Sequence, residues 1–287
     1  MYFSTHNFNK NKKIEMIVNI YMQNYSNAVG GGIGDFIRGS FFLLQFCIVN
    51  NLRFDVDYQN HPVAKYLYKK YDKVEEPINY KDIEYYFPDN TSVSEIFYKN
   101  FINHLQSIQN KRICLFSNNN PMYKINSFEK QFIKDKFLPN EELIQIVNNK
   151  MLQLKLIEKK FITIHIRVSD SVFNNDIIEN DTLFKLKEFI KNVNVQCFSK
   201  KKLLLTNSNK IKKLLKNIFN DLIIDINNIT HLAFSNNDLS IRDTLCDMFM
   251  ISKSEQVFSI SSYAHGTGFS KYICLLYDIP YYPYFLT

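Results

Sequence analysis

The sequence predicts an α/β protein with parallel sheets, organised as two halves that each carry a ligand-facing loop. Three observations predict it. Strands and helices alternate through the second half, which is the pattern of a parallel sheet. Near the start, a strand, a glycine-rich turn and a helix follow one another, the opening of a nucleotide- or sugar-binding α/β unit. All seven glycines fall in two clusters, five between Gly30 and Gly39 and two at Gly266 and Gly268. A chain that avoids glycine elsewhere uses it there for positive φ or for close backbone approach.

Composition bounds the function classes. The 287 residues, 46% hydrophobic and 22% charged, suffice for two modest domains with real cores. The longest apolar run, Phe41 to Val49, is interrupted by Gln45 and is shorter than the roughly 20 residues that span a bilayer. The opening Met1-Tyr2-Phe3-Ser4 lacks a basic segment followed by an apolar one. Five scattered cysteines, an odd number, read as free thiols in a reducing compartment. A cytoplasmic, soluble protein is therefore expected, and the Asn-x-Ser/Thr matches at Asn24, Asn90, Asn180 and Asn228 read as chance in an Asn-rich chain. The net charge of +7 comes with 30 Lys among 35 cationic residues, read as solvated helix faces. Without zinc-finger spacing or an RNA-binding signature, the basic excess fits an anionic small substrate better than nucleic acid. Arg occurs five times, and Arg38, Arg167 and Arg242 lie beside the features below. An Arg kept where Lys is the default cation points to bidentate geometry.

Taken in order, residues 1 to 12 are a polar lead-in and Lys13 to Met22 a first strand. The glycine turn Gly30-Gly31-Gly32-Ile33-Gly34-Asp35 opens a helix from Asp35 to about Asn50. Its spacing is neither the dinucleotide fingerprint nor a P-loop, and a plain tight turn is the alternative. Leu52 to Tyr58 alternates as a second strand ending at His61-Pro62. Residues 63 to 110 mix short patterns that resist assignment. Arg112 to Phe116 is a strand with the polar loop Ser117 to Pro121 at its end. Pro139-Asn140-Glu141-Glu142 starts a helix to about Leu156, expected to serve as the linker between domains 1–157 and 158–287. Phe161 to Val168 alternates as a strand, which puts His165 and Arg167 on one face near its carboxyl end. A helix over Thr182 to Val193, a strand over Lys202 to Thr206 and a helix over Asn209 to Phe219 follow. Thr206-Asn207-Ser208 are natural N-caps for that last helix. Then come strand Leu222 to Ile226, helix Ile241 to Ser252, strand Gln256 to Ile260, helix Phe269 to Leu276 and strand Pro280 to Phe285.

Open α/β sheets bind ligands beyond the carboxyl ends of their strands. Arg167 there offers a planar fork to a phosphate, although pairing with Asp170 at a strand end is an equal reading. Ser261 to Gly268 sits where a strand hands over to a helix, whose N-terminus binds phosphate through its orphan N–H groups. Ser261, Ser262 and Thr267 add hydroxyls. A donor in the C-terminal half and an acceptor in the N-terminal half follow from two such loops.

His165-x-Arg167-x-x-Asp170, the loop Gly31-Gly32-x-Gly34-Asp35 and the segment from Asp247 through Ser261-Ser262 resemble the inverting GDP-fucose fucosyltransferases, the group with the α-1,2, α-1,6 and protein O-fucosyltransferases. The resemblance spans roughly residues 28 to 280, with three distinctive blocks. It implies a GT-B-like fold, two Rossmann-like domains facing across a cleft. It also implies a nucleotide-sugar co-substrate, GDP-fucose, with a glycan as acceptor. By the same resemblance Arg167 contacts the β-phosphate and His165, Asp170, Thr206, Asn207, Asp247, Ser261, Ser262 and Thr267 surround the donor. Three departures bear on the donor's identity. Val168-Ser169 replaces an Arg-Gly pair, Gly34-Asp35 replaces Gly-Asn, and Thr206-Asn207-Ser208 lacks the carboxylate found there in several members.

For the acceptor side, Gly31, Gly32, Gly34, Arg38 and His61 are the cleft-loop candidates. Asp35 is the candidate base for the acceptor proton, with complementing the helix dipole as an equal reading. Asp55, Asp57 and His61 are weaker candidates. No metal ligand set or cofactor is expected. Asp55-Val56-Asp57 matches the motif of metal-dependent sugar transferases of another fold and lacks nearby His or Cys. A non-catalytic glycan- or nucleotide-binding module and a nucleic-acid-associated protein are the rival classes.

Overall fold

A computed structural model describes residues 14–21, 32–68, 83–85, 95–107, 112–168, 178–225, 232, 237–263 and 266–286. The chain divides into two compact units, Met1–Leu138 and Pro139–Thr287. The sequence predicts this boundary after residue 157. The helix Glu141–Gln153 is not a free linker, because its apolar stripe Leu143, Val147 and Met151 is buried.

In the first unit, β1 (Met16–Ile20), β2 (Arg53–Asp57), β3 (Ile83–Tyr85) and β4 (Arg112–Phe116) form a parallel sheet in the order β2-β1-β4-β3. The helices are α1 (Ile33–Asn50), α2 (Glu95–Ser107) and α3 (Ser127–Lys136). Strand β3 and helix α2 fall in the stretch that periodicity leaves unassigned. Ile17, Phe42, Phe46, Phe101, Leu105, Ile113 and Leu115 share one core. A helix apolar on all sides must be covered on all sides, and α1 is buried continuously from Phe36 to Cys47. It begins at Ile33, so its apolar span exceeds the Phe41–Val49 run. Among the described residues it is long and apolar enough to cross a membrane, yet 78% of that window is buried inside the protein, the condition of a core helix. Gly39 lets α1 lie against the end of β4. A Cβ there would stand 1.6 Å from the Ser117 carbonyl oxygen, so no larger residue fits.

The second unit starts with α4 (Glu141–Gln153), capped by the Asn140 side chain, which accepts from the Leu143 N–H at 2.9 Å. It continues with β5 (Phe161–Arg167), α5 (Asn180–Gln196), β6 (Lys201–Thr206), α6 (Asn209–Ile218) and β7 (Leu222–Ile224). Then follow α7 (Asp238–Ser252), β8 (Gln256–Ser261), α8 (Gly268–Leu276) and β9 (Tyr281–Phe285). The sheet is parallel throughout, in the order β7-β6-β5-β8-β9. Ile162, Ile164, Ile166 and Val168 turn one way into a core with Leu186, Phe189, Ile190 and Val193 of α5 and Ile211 and Leu215 of α6. Thr163 and His165 turn the other way, toward α7 and α8. Thr163 bonds Ser254 just past α7 at 2.6 Å, and His165 bonds Ser270 of α8 at 2.9 Å.

Not every lysine is a solvated surface charge. Lys202 and Lys212 are 3% and 0% exposed. Lys202 pairs with Asp221 at 2.9 Å, and the Lys212 ammonium donates to the Asp225 carbonyl at 2.8 Å. Lys212 occupies the buried stripe of α6 with Ile211 and Leu215, a placement the i, i+3 spacing to Leu215 could have signalled.

Candidate nucleotide site

Strand order locates the site. In the second unit the chain runs β5 to β6 to β7 in one direction across the sheet, then returns to add β8 and β9 on the other side. The topological switch point therefore lies between β5 and β8, where the loops leaving neighbouring strands diverge and open a crevice. Arg167 ends β5 and is in register with Ser261, which ends β8. The sheet hydrogen bonding continues one step further, with the Ser262 N–H donating to the Arg167 carbonyl at 3.1 Å.

The turn after β8 is built by its own hydroxyls. The Ser261 hydroxyl accepts from the Tyr263 N–H at 3.0 Å, and the Gly266 N–H returns to the Tyr263 carbonyl at 2.9 Å. Gly266 has a φ of 76°, the left-handed region that glycine enters without penalty. Ser262 stays exposed and Gly268 and Phe269, which open α8, are partly exposed. The Arg167 guanidinium lies over the Tyr263 ring, 5.6 Å from its centre. An aromatic face attracts a guanidinium lying over it and so holds it in place.

His165 is 7% exposed. Its Nδ1 lies 2.9 Å from the Ser270 hydroxyl and 3.2 Å from that of Thr267, and the two hydroxyls bond each other. Burial, then the Arg167 charge, then that of Lys212 hold its pKa down at about 3, so the ring is neutral. Thr206 is buried, and its hydroxyl accepts from the Ser208 N–H at 3.3 Å. Ser208, not Thr206 or Asn207, caps α6, accepting from the Ile211 N–H at 3.3 Å. Asn207 clamps the end of β5 instead. It accepts from the Val168 N–H and donates to the Val168 carbonyl, both at 3.1 Å.

Asp247 stands on α7 in a compact group of charges that the sequence did not reveal. Lys150 of α4 is ion-paired with Asp225 at the end of β7, and Arg242 with Asp243 at 3.2 Å. The Asp247 carboxyl is pushed up to about 6, chiefly by burial, against the opposing pull of Lys212 and Lys150. Burial drives the Lys212 pKa downward. Asp170 lies outside the described residues.

The first unit has its own switch point between β1 and β4. Gly31 lies outside the described residues. Gly32 precedes α1, and its N–H donates to the Asp35 carboxylate at 3.2 Å. Asp35 is ion-paired with Arg38 at 3.1 Å, and Arg38 donates from Nε to the Asn118 carbonyl at 2.6 Å. Gly34 is buried within the first turn. These contacts make one chain from the glycine turn to the loop after β4. Asp35 thus sits at the helix start, where a carboxylate also complements the helix dipole. His61 is 1% exposed, stacks on Tyr21 at 4.1 Å and accepts from the Val63 N–H at 3.1 Å, which are packing and capping contacts. Asp55 pairs with Lys136 at 2.8 Å, and Asp57 accepts from the Gln59 N–H at 2.7 Å. Among the described residues no group of three or more His, Cys, Asp or Glu is placed to hold a metal.

Two tandem parallel α/β units, the second with an Arg at its switch point, define a protein of the GT-B-like class. Its fold is that of solved fucosyltransferases. NodZ α-1,6-fucosyltransferase co-crystallised with GDP is 13% identical at a TM-score of 0.57, covering 92% of this chain and 93% of that one. The same enzyme soaked with GDP-fucose gives the same values. A mutant of Arabidopsis thaliana FUT1 in complex with GDP is 10% identical at a TM-score of 0.57, covering 98% of this chain and 72% of that one. No family model matches the chain, and no curated protein matches it in sequence.

Proposed function

We propose that the protein is an inverting glycosyltransferase that moves L-fucose from GDP-fucose to a hydroxyl of a glycan or glycoconjugate. Arg167 carries the reading: a guanidinium at the switch point of a parallel sheet, braced on Tyr263 beside a small-residue turn. The GDP and GDP-fucose complexes of proteins that share the fold support it.

In this reaction the acceptor oxygen attacks the anomeric carbon as the bond to the β-phosphate oxygen breaks. The electron pair leaves with GDP. Arg167 and the N–H groups opening α8 stabilise the charge that grows on the departing phosphate. The acceptor proton needs a base. Asp35 is retained for that role only if its bond to Arg38 opens, and Asp35→Asn tests it through loss of the acidic limb of the pH–rate profile. The arginine supplies positive charge directly, so full turnover in excess chelator is expected. The five cysteines are buried free thiols, which supports a reducing compartment such as the cytoplasm.

A second reading, transfer from a different nucleotide sugar, is favoured by Asn207. Its amide is committed to Val168 where several fucosyltransferases hold a carboxylate. Thermal-shift measurements with GDP-, UDP- and dTDP-sugars separate the two. A donor at a hundred times its dissociation constant stabilises by about 2.7 kcal/mol. Stabilisation by GDP-fucose alone is expected, a shift with UDP- or dTDP-sugars moves the donor assignment, and no shift with any of them rejects the enzyme reading.

A further inference from the structure

His165 lies on the same strand face as Arg167, two residues earlier, yet its ring is buried and faces away from solvent. It touches three residues at the start of α8. Thr267 is the N-cap, Ser270 is the third helical residue, and the Phe269 ring centre lies 5.7 Å from the imidazole centre. An N-cap threonine ordinarily turns its hydroxyl to accept a hydrogen bond from the second or third helical N–H. Thr267 makes no such bond. Its hydroxyl is engaged with Ser270 and His165 instead. The first-turn N–H groups thus lack the internal partner that their N-cap could have supplied, in a turn whose first two residues are partly exposed.

We propose that His165 is a positioning residue for the nucleotide diphosphate. It ties the start of α8 to the strand that carries Arg167, and it draws the Thr267 hydroxyl away from the cap so that the first-turn N–H groups face the phosphates. This rests on the donor site proposed above. A neutral ring suits the task. It bonds two hydroxyls, each of which both donates and accepts, and it adds no second positive charge that would push the Arg167 guanidinium out of place.

The test compares GDP with GMP by calorimetry on the full chain, because a residue acting on the second phosphate changes their ratio and general loosening changes both alike. His165→Phe keeps the ring volume and removes the nitrogen. It is expected to weaken GDP at least tenfold while GMP changes less than threefold. His165→Asn carries an amide where Nδ1 stands and is expected to recover GDP binding to within about threefold of the native chain. Thr267→Val, which deletes the hydroxyl alone, should weaken GDP in the same direction and serves if His165→Phe does not fold. Hydrogen exchange supplies a second readout: amides of Gly268 to Ser270 exchange faster in His165→Phe without any ligand, and GDP slows them in the native chain. GDP affinity unchanged in both His165→Phe and Thr267→Val overturns the proposal, as does an equal loss of GDP and GMP. Native protein that binds no nucleoside diphosphate overturns the donor site itself. The exchange of Gly268 to Ser270 then still reports whether His165 holds α8.

Discussion

At the scale of single residues, two titrations act against each other. His165 protonates near 6.5 in an unfolded chain and at about 3 in the fold. Its contribution to stability is therefore present above pH 6.5 and is lost as pH falls toward 3. Asp247 is the reverse, with a carboxyl that titrates at 3.8 ordinarily and at about 6 in the fold. Its contribution is full below pH 3.8 and disappears as pH rises through 6. Between about pH 4 and 6 the two slopes oppose, so the native chain should show a nearly flat stability there from these groups. Urea midpoints measured across that window check it. Asp247→Asn should make stability climb with pH, and His165→Asn should make it fall. Parallel profiles for both variants and the native chain would show that neither group titrates as described. The sequence showed that His165 and Arg167 share a strand face, because alternation alone fixes that. It did not show that the ring is buried against Thr267 and Ser270, which lie about a hundred residues further on.

Among the elements, two junctions hold the loops that matter. Asn207 satisfies both polar groups of the Val168 peptide where β5 ends. Asn207→Ala leaves them without that partner, and an orphaned buried group costs about 1–3 kcal/mol. Denaturant titration should show a loss of that order, together with weaker GDP binding as the strand end loosens. An unchanged midpoint would mean that the clamp contributes nothing. In the first unit, Gly39→Ala drives a methyl into the Ser117 carbonyl. A backbone atom cannot swing aside as a side chain does, so the expected loss is about 3 kcal/mol or more, visible as a lowered melting temperature or failure to fold. Native-like melting would contradict the close approach. The sequence marked the glycine cluster as special, and at Gly39 the cause is helix-to-loop contact rather than positive φ. The same reasoning explains Asn207. A short polar residue after a strand reads equally as helix cap or ligand contact, and the choice depends on a partner strand that periodicity does not name. Strands β5, β6 and β8 were legible because each is a compact apolar run between polar turns. β3 and α2 were not, since neither stands out from the tyrosine-rich stretch around it.

For the molecule as a whole, both units are parallel sheets with a switch point, and each switch point is braced by buried polar contacts from distant parts of the chain. In the first unit Asn19 of β1 bonds Ser40 of α1 at 2.8 Å and accepts from the Ser117 N–H at 3.2 Å. In the second, Thr163 and His165 of β5 reach Ser254 and Ser270. Such satisfied networks fix where a loop leaves its sheet, and that is what a donor site requires. The division after Leu138 escaped the sequence because Pro139 and the Asn140 cap signal a helix start without saying which core the helix joins. The buried stripe of α4 answers that only in three dimensions. The claim on which the account stands is that Arg167 stabilises the leaving diphosphate, and the direct measurement is fucosyl transfer or hydrolysis of GDP-fucose by Arg167→Ala against the native chain. Removing a donor aimed at developing charge costs about 3–4 kcal/mol, so a fall of more than about a hundredfold with unchanged melting is predicted. Turnover within a few-fold of native in a folded variant would contradict it.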